Sequence, residues 1–223
     1  MMSLSHLVVA TFLCFSLVHG HYIFQTLTID GQKSQPNQYV RKNTNNNSPV
    51  TDLSSPDLRC NVGGATGGST QTADVRAGAT LGFVADQAVY HQGPVTFYMT
   101  KVPSASAADG STPWFKIAEI GPKFSGNSAQ WELSQSYSAK IPSCLPAGEY
   151  LLRVEQLALH NPGAPPQFYI GCGQIKVTGG GNATPGPLTP IPGHVKASDP
   201  GYTVNIYNNF ASYTVPGPKV FQC

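Results

Sequence analysis

A histidine at residue 21 becomes chemically unusual if the chain is cut just before it. Its freed α-amine and its imidazole can then chelate one metal ion together. The amine has an ordinary pKa of about 7.7–8.0, so a metal can displace its proton near neutral pH. One further imidazole would complete three nitrogens in a T, an arrangement suited to Cu(II). His91, in the turn-like stretch YHQGP just before a strand signal, is the natural partner. In QFYIGC, Gln167 and Tyr169 stand two apart on a strand-like run and so share a face. With His160 upstream, they could supply an axial oxygen and two hydrogen-bonding groups around such a metal.

The cut itself is legible. Residues 1–20 carry no Asp, Glu, Lys or Arg, and Leu7 to Val18 form an apolar run too short to span a bilayer. Val18 and Gly20 occupy the small-residue positions that signal peptidase reads. Cleavage after Gly20 leaves residues 21–223 as a single secreted domain, with no further apolar run of membrane-spanning length.

The elements that must position these residues read as strands. Residues 21–30, 79–85, 94–101, 114–120, 137–141, 149–159 and 168–177 are β-branched and aromatic, separated by turn residues. In 94–101, Val95, Phe97 and Met99 alternate with Thr96, Tyr98 and Thr100, which predicts a half-buried strand. Seven or so short strands without helical periodicity predict an all-β protein built as a β-sandwich. Residues 31–71 and 178–223 are long Gly-, Pro-, Ser- and Asn-rich segments of the kind that is often functional.

Composition excludes several functions. Charged residues are only 11% of the chain, the formal net charge is +2, and Gly and Pro number 23 and 19. No clustered Lys/Arg stretch offers a nucleic-acid surface. Cys14 leaves with the leader, so Cys60, Cys144, Cys172 and Cys223 remain: an even count in a secreted chain, with three possible pairings. A cysteine at position 223 is expected to staple its segment to the body. Asn46-Asn47-Ser48 and Asn182-Ala183-Thr184 are N-glycosylation sequons in loop-like segments. A glycoside hydrolase would need two carboxylates across a cleft. Glu149 and Glu155 share a strand face, but nothing in the sequence pairs them with a nucleophilic role. A non-catalytic carbohydrate-binding or copper-storage protein would not need His160, Gln167 and Tyr169 together.

A resemblance gathers these features. HYIFQ at residue 21, NNNSPVTDLSSPDLRCN (45–61), YHQGP (90–94) and WFKIAEIGP (114–122) resemble the fungal lytic polysaccharide monooxygenases of auxiliary activity family 9. So do IPSCLPAGEYLLRVEQLALHNP (141–162), QFYIGCGQIKVTGGG (167–181), DPGYTVNIYNNF (199–210) and VPGPKVFQC (215–223). The likeness covers residues 21–223 in order, with no carbohydrate-binding module. It implies an immunoglobulin-like or fibronectin-like β-sandwich whose long loops form a flat substrate surface. It also implies one Cu(2+) per chain, with His21 and His91 as ligands and Tyr169 axial. His160 and Gln167 match the pair that hydrogen-bonds the oxidant, with Tyr169 counted beside them as catalytic. The implied disulfides are Cys60–Cys172 and Cys144–Cys223. Tyr207 matches a tyrosine that stacks on substrate, and Tyr22 and Tyr202 are further candidates, since sugar faces stack on rings; Tyr213 reads as ordinary packing. The implied activity is C1 and/or C4 oxidation of cellulose, xyloglucan or cello-oligosaccharides. It uses O2 or H2O2 and an external reductant, by a secreted monomer that binds neither nucleic acid nor membrane. His194 falls where relatives carry a small or aromatic residue and reads as exposed and without a role.

Overall fold

The computed structural model describes residues 21–126 and 128–223. The leader and its cleavage position, residues 1–20, lie outside them. Among the described residues eleven strands form in chain order: β1 (Phe24–Ile29), β2 (Gln32–Lys33), β3 (Ala73–Arg76), β4 (Thr80–Ala85), β5 (Val95–Val102), β6 (Phe115–Ile120), β7 (Lys123–Ser125), β8 (Ser128–Gln130), β9 (Ser136–Lys140), β10 (Gly148–Ala158) and β11 (Gln167–Thr178). All seven expected strands are among them. The additions are short and polar. The four-residue β3 alternates buried and exposed positions beside a Gly-rich loop and gives a weak sequence signal.

Two sheets make a sandwich. One runs β2-β1-β4-β9 and the other β3-β11-β10-β5-β6, while β7 and β8 pair as a separate hairpin. Among the described strands, β3 lies parallel to β11, and the other pairings of the two sheets are antiparallel. The period-2 rule sets what lies between the sheets. Phe97 and Met99 of β5, Leu152 and Val154 of β10, and Leu27 and Phe83 of the facing sheet form the inner core.

The opposite face of the five-stranded sheet is covered too, which corrects the half-buried reading of β5. Thr96, Tyr98 and Thr100 are buried. The two long segments fold over them and form a second core with Leu58, Trp114, Phe168, Ile191 and Val195. Cys60–Cys172 joins one segment to β11, and Cys144–Cys223 secures residue 223 beside the approach to β10. Each closes a long loop, worth about 4–5 kcal/mol in the chain-entropy view. A short helix, α1 (Pro200–Thr203), lies in the second segment.

This covering layer rests on buried polar groups. Arg153 donates to Leu58 O at 2.6 Å and Arg59 O at 2.9 Å, and also pairs with Glu155. His194 reaches the same Glu155 carboxylate at 2.8 Å. It is buried rather than exposed, because the 188–218 segment lies down on the sheet instead of projecting into water. Among the described residues, no helix is long and apolar enough to cross a membrane.

Candidate metal centre

The site gathers at one end of the sandwich, where β1 begins, β10 ends and β11 begins. His21 directly precedes the edge of β1. Its carbonyl accepts hydrogen bonds from Asn47 Nδ2, at 3.2 Å, and from Gln87 Nε2. Ile23 exchanges two bonds with Asp86, its N–H meeting Oδ1 at 2.8 Å and its carbonyl meeting the Asp86 N–H at 3.0 Å. The residue whose amine would be freed is therefore held from two loops.

His91 sits in the β4–β5 connection. Gln92 O and Pro94 O accept from the β10 strand at Leu159 N and Leu157 N, at 2.8 and 3.0 Å, so the loop continues the sheet's pairing. Gly93 is needed there, because a Cβ would collide with Leu157 O. At this same end of β10, His160 places its ring flat on that of His91, with centroids 3.7 Å apart and planes 7° apart. Its Nδ1 is buried and has no hydrogen-bond partner.

Gln167 and Tyr169 follow at the start of β11, opposite Ala158 and Gln156. They share a face as expected, and the Tyr169 hydroxyl donates to Gln167 Oε1 at 2.9 Å. The Tyr169 ring packs against both candidate ligands, with centroids 5.8 Å from His21 and 5.7 Å from His91. The two imidazoles meet edge-on at 5.9 Å. The structure thus brings His21, His91, His160, Gln167 and Tyr169 together.

The electrostatics suit a cation's ligands. Burial, then the neighbouring His160 and His21, push His91 down to about 4. Burial, then His21, lowers His160 as well. Both rings are neutral at pH 7 and keep a lone pair. Burial raises Tyr169 above the usual phenol value, so it stands as a neutral hydroxyl. Among the described residues, no three His, Cys, Asp or Glu side chains are arranged to hold an ion. Two imidazoles with a main-chain amine as the third nitrogen fit what is present, with the Tyr169 ring beside both.

The aromatic expectations divide. Tyr207 is 61% exposed and its hydroxyl donates to His160 O at 3.2 Å, so it lies beside the site. A cavity of about 430 Å³ lined by Gln92, Trp131, Tyr207 and Phe210 adjoins it. Tyr202 is partly buried with its ring along Phe168, and lines a groove of about 520 Å³ with Pro165, Pro166 and Asn205. Tyr22 is corrected: it is 2% exposed, stacks on Tyr169 at 4.2 Å, and donates its hydroxyl to Gln156. Its place on the inner row with Phe24 keeps it from any sugar. Tyr213, as expected, packs on Trp131 and Phe210. Sequence reasoning missed Tyr90. It is 41% exposed, with its ring 4.3 Å from that of His91. A large ring directly before a candidate ligand, in a turn, was the available signal.

The carboxylates are otherwise engaged. Glu149 accepts from Ala105 N at 2.6 Å, and Glu155 is buried with Arg153 and His194. The pair that shares a strand face therefore cannot serve a hydrolase.

The chain is similar to known proteins in sequence and in fold. The sequence pattern of Auxiliary Activity family 9 (formerly GH61) matches residues 21–214. The chain is 58% identical over 219 residues to the AA9 family lytic polysaccharide monooxygenase E of Podospora anserina, covering 97% of this chain and 74% of that protein. The crystal structure of HiLPMO9B superposes with a TM-score of 0.81 at 32% identity, covering 91% of this chain and all of that one. A cellulose-active polysaccharide monooxygenase from M. thermophila superposes with a TM-score of 0.77 at 33% identity, covering 91% and 99%.

Proposed function

The chain belongs to Auxiliary Activity family 9, the lytic polysaccharide monooxygenases, and from that premise we propose that it is secreted, cut before His21, and loaded with one copper ion to oxidise β-1,4-glucans. The observation that carries this reading is the placement of His21 and His91 edge-on at 5.9 Å, each packed against Tyr169. The family match beginning at residue 21 supports the cleavage position.

Copper bound there would supply one-electron redox chemistry with O2 or H2O2, directed at a C–H bond beside the glycosidic link. The balance is simple. Hydroxylation consumes O2 with two electrons and two protons, or one H2O2. One oxygen enters the C–H bond and the other leaves as water. The hydroxylated carbon, C1 or C4, then expels the glycosidic oxygen. The O2 route takes its two electrons from outside the reaction, and an external reductant is the proposed partner that supplies them.

The chain's own groups do the rest. His21 and His91 would hold the ion, with the Tyr169 ring packed against both imidazoles. His160, with its unpartnered Nδ1, positions a hydrogen bond and a proton for the oxidant. Gln167 gives its carbonyl to Tyr169 and keeps its amide N–H groups as donors. Tyr207, with Tyr202 at the margin, docks the sugar face. Cellulose is the leading substrate, as for the M. thermophila relative, with xyloglucan and cello-oligosaccharides as further candidates. The exposed Asn46 and Asn182 are proposed N-glycan acceptors.

Incubation of the secreted, copper-loaded chain with cellulose and ascorbate tests this. Mass spectrometry should find C1- or C4-oxidised oligosaccharides only when reductant is present. Unoxidised sugars released without reductant would overturn the reading.

A further inference from the structure

We propose that Gln156 is a positioning residue that holds the His21 and His91 segments in register. This rests on the metal-centre reading above. Gln156 is fully buried on the inward row of β10, among Leu152, Val154 and Ala158. A carboxamide in such a row is costly unless both its ends are satisfied. Here both are, and by two different segments. Its Oε1 accepts from the hydroxyl of Tyr22, the residue after His21. Its Nε2 donates to the main-chain carbonyl of His91 itself, at 3.1 Å.

One side chain from the rigid sheet therefore ties together the two segments that carry the imidazoles. The surroundings leave this tie little slack. Tyr22 is clamped between Gln156 and the Tyr169 ring. The His91 loop is pressed onto β10 at Gly93, where a Cβ would stand 3.1 Å from Gln156 Nε2. Asn47 and Gln87 fix the other side of His21 through its carbonyl. Removing Gln156 would free the spacing and tilt of two rings whose separation defines the site, without touching either ring. Groups that orient metal ligands through hydrogen bonds typically govern affinity by about 10–100-fold.

The test uses the full secreted chain beginning at His21, as wild type, Gln156→Leu and Tyr22→Phe. Copper(II) affinity is measured by calorimetry, the copper EPR spectrum is recorded, and the metal-free chain is melted. Gln156→Leu is expected to bind copper about ten-fold or more weakly with altered hyperfine coupling. Tyr22→Phe, which keeps the ring and removes one anchor, should shift the spectrum in the same direction by less. It carries the test alone if Gln156→Leu is not secreted. A lowered melting temperature with wild-type affinity and a superimposable spectrum would assign these residues to packing alone and overturn the inference. A wild-type chain that binds no copper would overturn the metal-centre reading, and this inference with it.

Discussion

The imidazole of His160 lies flat on that of His91, centroids 3.7 Å apart, and joins it from the start of the β10–β11 connection. One ring is a candidate ligand. The other stacks on it and leaves a buried Nδ1 without a partner. On the proposed reading, ligation falls to one of these touching rings and proton handling to the other.

That division predicts how His160→Ala behaves. Copper affinity should stay within a few-fold of wild type, because neither ligand nitrogen is removed. Turnover should fall by about 10²–10⁴-fold, the usual worth of a positioned proton donor or acceptor. Calorimetry and product assays on the same preparation separate the two. Loss of copper from the variant would make His160 a ligand instead.

An alanine inserted before His21 should abolish tight copper binding while leaving the fold unchanged. The amine moves one residue away, whereas the hydrogen bonds at the His21 carbonyl and at Ile23 need no free terminus. Circular dichroism and copper EPR on the extended protein check both halves.

Tyrosines near the site should respond according to burial. Tyr207→Ala and Tyr90→Ala remove exposed rings and are expected to weaken cellulose binding several-fold with melting temperature little changed. Tyr22→Ala should do the reverse. It empties a buried site and unpairs Gln156, which costs about 3–5 kcal/mol by analogy with other buried aromatics. Pull-down on cellulose and thermal melts distinguish the two classes.

Acid stability should be governed in large part by Glu155. Burial by itself would raise its carboxyl, but Arg153 and His194, by charge and hydrogen bond, hold it well below its ordinary 4.5. The surrounding groups are Arg153 on the same strand, Thr96 and Tyr98 on β5, and His194 in the covering segment. A carboxyl depressed on folding contributes stability that is present above its unfolded pKa and lost as pH falls below it. Melting temperature should therefore drop as pH falls from about 4.5. Glu155→Gln should lower stability at neutral pH, because Arg153 loses its buried counter-charge, and should flatten the acid limb. A wild-type melting temperature that holds steady from pH 5 to pH 3 contradicts this.

Much of this was readable in the chain because it follows from period 2. Gln167 and Tyr169 share a face, and Glu149 and Glu155 share another, as spacing alone requires. The same rule placed Tyr22 inward with Phe24, but its position next to His21 suggested a surface role instead. What spacing could not convey is the second covering. Thr96, Tyr98 and Thr100 read as water-facing because alternation reports one buried face, while the loops that cover the other carry no periodic signal. His194 belongs to the same case. Its partner Glu155 lies 39 residues away, and only the folded segment brings them within 2.8 Å. Tyr90 was hidden because an isolated ring in a turn is ordinarily packing.

The Cys144–Cys223 staple sets the two ends of the domain apart. Cys144 lies just before β10 and His160 just after it, and eleven extended residues span roughly 35 Å. A linker or affinity handle attached after Cys223 would leave from the pole opposite His21. Immobilised through that end on an electrode, the protein would keep its working face turned toward solution.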